Sequence, residues 1–372
     1  MKKRRADEAL FEDMNLESLQ LARALIMEGR VMAGDRKILR ASETLKPGEM
    51  RRTTLRIPMG GLPNHGALRP AEDRAGDYEM PMFLLNGGKK GKTVLVSASI
   101  HSGEYAGVPA VIRAGRELDP EKLCGRLILL PCVNTSGFWD LSHALVPENG
   151  SNLNRTYPGD AGGGVGERIK AFFVREIFPR LDFMLDLHGG SVAEKMTPLI
   201  FYPKAEKVTE VSLAAARATG VEVLVASDAD NGQYSYAANF LDVPGMLLER
   251  GGGFYCDRDW QEADYRDIRL LLDHLGMYPA EAAMGAGTWK HRVFREAVYV
   301  DFDASGLWYP AVDVDTPVKK GQLLGTLRDF YGETVKEYYA EADGHLLYQT
   351  EGLAVREGDF LAAYGLTASE TD

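Results

Sequence analysis

The chain has 372 residues, 45% of them hydrophobic, which is enough for one large core or two domains. A formal net charge of −11 and a pI near 5.3 argue against nucleic acid as a partner, and no apolar run approaches transmembrane length. The three cysteines, Cys124, Cys132 and Cys256, form no C-x-x-C pair, so we expect a soluble, cytoplasmic protein with no membrane association, no disulfides and no cysteine metal site.

MKKRR opens the chain, but acidic and mixed sequence follows in place of the apolar core of a signal peptide. Ala6 to Arg30 carries Leu10, Met14, Leu21, Leu25 and Ile26 at mostly helical spacing among charges. This predicts a helical extension over residues 1–36, packed on the body or on a neighbouring subunit, which leaves a homo-oligomer open. Residues 51–57 and 81–85 read as short strands. Turn pairs at Pro47-Gly48, Gly60-Gly61, Pro63-Asn64 and Asn86-Gly87 punctuate them, as in a β-meander.

From residue 93 to about 285, apolar strands alternate with helical patterns. The strands are expected at 93–99, 126–131, 182–187, 199–202, 221–226 and 243–248, and the helices at 106–118, 166–177, 208–219 and 259–275. Such alternation argues for a mainly parallel sheet covered on both faces. Residues 134–164 break the pattern with many Asn, Gly, Pro and Ser, and a long loop of this kind in a compact domain is usually functional. Beyond Trp289 the chain returns to strands and turns, with a weak internal repeat. Gly306-Leu-Trp-Tyr-Pro leads to a Val-x-x-Gly-x-x-Leu segment from Val318, and Gly344-His-Leu-Leu-Tyr leads to a second from Val355. The repeat resembles the two halves of lipoyl and biotinyl domains. The hairpin between them, residues 328–334, has no lysine, so a structural or substrate-shaping β-domain is expected, not a swinging arm. The division is therefore 1–36, an α/β domain over 37–288, and a β-domain over 289–372.

Three of the apolar strands deliver a chemical group to the same edge. The first runs into His101 and Glu104, the second ends at His188, and the third at Glu249. In open α/β sheets ligands bind at the carboxyl ends of the strands. Taken singly each residue has an ordinary reading: H-x-x-E occurs by chance, His188 suits a turn, and Glu249 suits a salt bridge with Arg250 or another base. Together, two imidazoles and a carboxylate beside a second carboxylate match the His₂Glu zinc hydrolases. The polar loop adds Asn152-Leu-Asn154-Arg155. A guanidinium fork there would match a substrate carboxylate, while the plain alternative is an exposed arginine beside a turn-forming asparagine.

In order, IHSGEYAG, NLNRTYPG, LDLHGG and LLERGGG resemble the motifs of the succinylglutamate desuccinylase/aspartoacylase family, zinc amide hydrolases related to the zinc carboxypeptidases. The resemblance runs from about Lys37 to the C-terminus. It implies a zinc-carboxypeptidase-like α/β fold, with a mixed, mainly parallel sheet flanked by helices, and a C-terminal β-sandwich or barrel-like domain. It also implies one zinc per chain on His101, Glu104 and His188, Glu249 as general acid and base, and Asn154 and Arg155 holding a substrate carboxylate. The implied reaction is hydrolysis of the amide bond of a small N-acyl amino acid. A metallocarboxypeptidase acting on peptides and a catalytically weak zinc- or ligand-binding homologue are the alternatives.

Two departures matter. The family commonly has H-G-N/D-E, where this chain has Ser102 and Gly103, a form nearer the carboxypeptidases that leaves the acyl group open. Relatives also carry an arginine shortly before the LNR motif to polarise the scissile carbonyl. Between Asn134 and Asn154 the basic residue is His143 alone. Either His143 takes that role, or an arginine arrives from elsewhere, or activity is weak.

Overall fold

A twelve-stranded mixed sheet runs through the molecule. The structure, a computed structural model, describes residues 4–14, 19–27, 31–33, 36–45, 50–57, 78–281, 284–285, 289–366 and 368–370. The turn pairs expected at Pro47-Gly48, Gly60-Gly61 and Pro63-Asn64 lie outside the described residues. At the middle of the sheet, strands Lys89–Ala98, Phe183–His188 and Gly245–Glu249 are parallel neighbours, with Leu187 opposite Ala98 and His188 opposite Glu249. On one side follow Cys124–Leu130, parallel, then Tyr78–Asn86 and Met50–Ile57, antiparallel. On the other side Leu199–Pro203 runs antiparallel to Gly245–Glu249, and Val223–Ser227 and Arg292–Phe294 continue parallel to one another.

The pleat sends successive side chains to opposite faces. Val94, Val96 and Ala98, with Phe183, Leu185 and Leu187, enter one buried cluster with Ala110 and Ala114 of helix Gly107–Glu117 and Leu271 of helix Arg258–His274. Leu95, Met184 and Leu247 enter a second cluster on the opposite face, with Ala237 of helix Gln233–Leu241. Both faces are thus covered, which is why these strands read as nearly continuous apolar runs. Stepping two residues along the second face leads from Leu95 to Ser97, from Met184 to Asp186 and His188, and from Leu247 to Glu249. The sheet therefore presents a row of polar groups on one face at its carboxyl end.

The helices expected over 106–118, 208–219 and 259–275 occur as Gly107–Glu117, Thr209–Arg217 and Arg258–His274. The one expected over 166–177 is α-helical over Val165–Phe172 and widens to a π-turn over Phe173–Ile177. The N-terminal segment forms two helices, Ala6–Met14 and Leu19–Met27, where the spacing predicts one. Their Leu10 and Ile26 are buried in the same cluster as Met80 and Met184. Helix Gln233–Leu241 was not expected. Residues 134–164 hold a short helix, Thr135–Asp140, whose Asn134 side chain caps the Gly137 N–H, and a pairing of Leu145–Val146 with Ser151–Asn152.

The C-terminal strands form two antiparallel sheets packed over Phe302, Trp308, Leu327, Leu346 and Tyr364. Strands cross between this part and the α/β part in both directions. Glu194–Met196 pairs with Tyr348–Thr350, while Ala368–Glu370 returns to the edge of the central sheet beside Arg292–Phe294. The hairpin between Leu323–Arg328 and Thr334–Tyr339 carries exposed Phe330 and Tyr331. Among the described residues no helix is long and apolar enough to cross a membrane.

Candidate active site

The turn that follows Lys89–Ala98 begins with Ser99 at φ 53°, a left-handed conformation that costs a non-glycine residue energy and is common beside functional sites. It brings His101 back over the strand ends. His101 Nδ1 lies 2.8 Å from Glu104 Oε1, and His188 Nδ1 lies 2.9 Å from Glu104 Oε2. The two imidazoles meet edge to face with centroids 5.0 Å apart. One donor atom from each of His101, Glu104 and His188 falls within 4.8 Å of the others. Gly189 closes the strand turn behind His188, because a Cβ there would stand 2.5 Å from the Arg250 carbonyl oxygen.

The electrostatics fit a cation among these three residues. Burial alone would raise the Glu104 carboxyl, but His101 and His188 hold it down at about 2. Burial likewise works against charge on His188, yet Asp186 and Glu104 push its pKa well above the usual value. Glu104 Oε2, His188 Nε2 and Glu249 Oε2 are buried and lack an aligned hydrogen-bond partner among the described residues. Two imidazoles and a carboxylate, close-set, half-buried to buried and partly unsatisfied, are a donor set that suits zinc with an open position.

The outer nitrogens of both histidines are held as well. His101 Nε2 is 3.1 Å from Asn152 Oδ1, and His188 Nε2 is 3.1 Å from Asp186 Oδ2. Outer contacts of this kind fix the tautomer and ring orientation of a metal-ligating histidine. Asn152 was named from sequence only as the first residue of the NLNR segment, without a role, and Asp186 was given none. For Asp186 a signal existed: a charge inside an apolar strand, two residues before a histidine, shares its face. For Asn152 the signal was its place in the NLNRTYPG motif, which did not tell what it contacts.

Glu249 ends its strand beside His188. The expected alternative, a salt bridge to Arg250, does not form: the buried Arg250 guanidinium turns away to Asp264 and Asp267 on helix Arg258–His274. Burial raises the Glu249 carboxyl well above its ordinary value; His188 opposes this, and Glu104, Glu194 and Asp186 add to it.

Asn154 is buried, and its Oδ1 accepts the Gln233 backbone N–H at 2.7 Å, so this oxygen anchors the loop. Arg155 is exposed, with Nη1 donating to the Asn154 carbonyl at 2.8 Å. The buried Lys170 ammonium holds the loop from below through the Arg155 carbonyl at 3.1 Å. His143 is exposed, and its ring lies against Phe254 with centroids 4.8 Å apart. Its carbonyl accepts from Gly103 N–H at 2.6 Å and from Ser102 Oγ at 2.9 Å. Gly103 makes room for this wall, since a Cβ would meet Phe254 Cε1 at 2.3 Å. Phe254 also stacks on Tyr105, with centroids 5.6 Å apart. Phe254 is a feature the sequence reading missed, because the need for Gly103 arises only when the two loops meet.

The fold and this cluster define an α/β protein with a candidate His₂Glu metal site at the carboxyl edge of its sheet. A model of the succinylglutamate desuccinylase/aspartoacylase catalytic domain matches residues 90–275, and the chain belongs to that family. The N-alpha-acetyl-L-2,4-diaminobutyric acid deacetylase of Halomonas elongata is similar, 28% identical over 299 residues that cover 78% of this chain and 86% of that one. Among solved structures, the product-bound ectoine utilization protein EutE of Ruegeria pomeroyi superposes with TM-score 0.74 at 24% identity, covering 85% of this chain and 94% of that one. A succinylglutamate desuccinylase/aspartoacylase from Rhodobacter sphaeroides does so with TM-score 0.72 at 25% identity, covering 87% and 96%. The α/β architecture with a C-terminal β-part agrees with that of these relatives.

Proposed function

We propose that the protein is a zinc-dependent hydrolase that cleaves the amide bond of a small N-acyl amino acid. The observation that carries this reading is the meeting of His101, Glu104 and His188 within 4.8 Å, with Glu249 on the adjacent strand end. The deacetylase relative supports an N-acyl amino acid over a peptide. His101 Nδ1, Glu104 and His188 Nδ1 would hold the ion. Zinc bound there supplies a Lewis acid for the acyl carbonyl and lowers the pKa of a water towards ~7. Glu249 takes a proton from the attacking water and delivers it to the departing amine, so that amide plus water becomes carboxylate plus amine. Arg155 offers its guanidinium to the substrate carboxylate and orients the scissile bond. His143 and Phe254 shape the mouth of the site. Metal analysis of the purified protein, with a screen of N-acetyl and N-succinyl amino acids against short peptides, tests the reading. Zinc with turnover of peptides alone would favour the carboxypeptidase, and zinc with no turnover a ligand-binding homologue.

Arg155→Ala is expected to raise KM for the free acid more than it lowers kcat, because the contact need not strengthen in the transition state. Loss of one partner of a desolvated charged pair often costs ~2–5 kcal/mol; the exposure of Arg155 in the free protein places the expected loss at or below the lower end of that range. The substrate's amide, which has no charge to pair, should be a poor substrate for both proteins. Equal handling of acid and amide by the wild type would show that Arg155 reads no carboxylate.

Zinc uptake should release protons. Asp186 and Glu104 favour the charged form of buried His188, so the ion must displace that proton. Apparent zinc affinity is therefore expected to rise with pH until His188 has titrated. Zinc added to metal-free protein in a weakly buffered indicator solution should release about one proton per ion. Affinity independent of pH would place the ion elsewhere.

A further inference from the structure

Behind the ligand histidines lies a chain of half-buried and buried polar contacts that joins their two outer nitrogens. His101 Nε2 faces Asn152 Oδ1, which also accepts the Asn154 N–H at 2.8 Å. Asn154 Oδ1 accepts the Gln233 backbone N–H at 2.7 Å. The Gln233 side chain then donates from Nε2 to Ser97 Oγ at 2.8 Å, and Ser97 Oγ donates to Asp186 Oδ1 at 2.9 Å. Asp186 Oδ2 faces His188 Nε2. Ser97, Asp186 and Gln233 are fully buried at 0% exposure, so no solvent can replace a missing partner.

The directions follow from donor counting. A carboxylate only accepts, so Ser97 gives its single proton to Asp186. Ser97 can then only accept from Gln233, which must present its NH₂ group and turn Oε1 towards the Tyr157 hydroxyl, 3.5 Å away. At the other end Asn152 Oδ1 receives a backbone N–H, so the facing His101 Nε2 must be the protonated nitrogen. Both imidazoles are thereby set with N–H outward and Nδ1 towards Glu104.

We infer that Gln233 is a positioning residue for the metal ligands. Its backbone N–H ties down the loop that carries Asn154 and Arg155, and its side chain orients Asp186 and hence His188. The substrate loop and the ligand shell are then one unit, hydrogen-bonded as far as Asp186 and completed by the Asp186–His188 ion pair, built on the helix that the sequence did not announce. This rests on the zinc reading proposed above.

The test uses the full-length protein. Gln233→Met removes the side-chain donor at similar volume and leaves the backbone bond to Asn154. Its zinc affinity, measured by competition with a chelator, is expected to fall about tenfold, the low end for loss of an outer-shell partner. The visible bands of the Co²⁺-substituted protein should change, because they report ligand geometry. Gln233→Glu should weaken zinc likewise, since a carboxylate would draw the Ser97 proton away from Asp186. Ser97→Ala breaks the next link, and provides the comparison if Gln233→Met does not fold. The double variant Gln233→Met/Ser97→Ala should be no worse than the weaker-binding single variant, because both cut one chain. Unchanged zinc affinity and cobalt spectrum in both single variants, with only a lower Tm of metal-free and loaded protein alike, would overturn the inference and leave a packing role. In that case the zinc reading still stands if His188→Ala loses the ion. Zinc binding by His188→Ala equal to wild type would overturn both.

Discussion

Glu249→Gln is expected to retain zinc as the wild type does and to turn over substrate ~10²–10⁴ times more slowly, the range for loss of a positioned general base. The substitution keeps the shape of the side chain but gives it an amide that cannot accept the proton of water. The surroundings of Glu249 support the proposed proton transfer over a structural ion pair. It stands at a strand end opposite His188, its Oε2 has no hydrogen-bond partner among the described residues, and Arg250 is committed to Asp264 and Asp267. Burial raises its carboxyl, and the nearby Glu104, Glu194 and Asp186 raise it further against the pull of His188. A raised carboxyl is a working base only above its own pKa, so wild-type kcat/KM should decline as pH falls through that value. A cation on the neighbouring ligands draws that limb to lower pH than in the metal-free protein. The variant should lack the limb as well as the rate. Metal content measured beside kcat/KM separates the roles: loss of zinc would make Glu249 a ligand, and an undiminished rate would end its part in proton transfer.

What the sequence disclosed here, and what it withheld, follows from how far apart the interacting residues lie. Strands buried on both faces leave long apolar runs, so the ends at His101, His188 and Glu249 could be placed without coordinates. The H-x-x-E contact is local, and so is the LNR motif. The contact of Gln233 with Ser97 joins residues 136 apart, and that of His101 with Asn152 joins residues 51 apart. No periodicity encodes such pairs. Helix Gln233–Leu241 itself hides because Tyr234, Tyr236 and Phe240 blur its apolar face, and it lies between two strands where a plain connection sufficed. Gly103 was visible as a departure from the family pattern. Its reason, the Phe254 ring lying where a Cβ would be, belongs to a loop about 150 residues later and is a matter of tertiary contact. The N-terminal extension was legible as helical and apolar on one side. Its division into two helices, and its share in the same core as Met80 and Met184, was not.

His188→Ala is expected to lose both the metal and the activity. The imidazole is one of three proposed ligands and the most enclosed of them, 2% exposed, with Glu104 on one nitrogen and Asp186 on the other. Alanine leaves Glu104 and Asp186 as buried carboxylates without the imidazole between them, so zinc would have to bind with two ligands in a site of excess negative charge. Outer-shell substitutions at metal sites cost ~10–100-fold in affinity or activity; removal of the ligand itself should exceed that, and the purified variant should contain little zinc. Asp186→Asn supplies the graded comparison. It keeps the ligand but offers an amide to His188 Nε2, and its loss should fall within the outer-shell range. Excess zinc should restore Asp186→Asn in part and His188→Ala very little. Because metal that binds only the folded state stabilises it, the rise in Tm on adding zinc should be large for wild type, smaller for Asp186→Asn and absent for His188→Ala. Full zinc content and full activity in His188→Ala would show that the ion sits elsewhere, and the geometry of His101, Glu104 and His188 would then be an ion-pair cluster that happens to lie where two strands end.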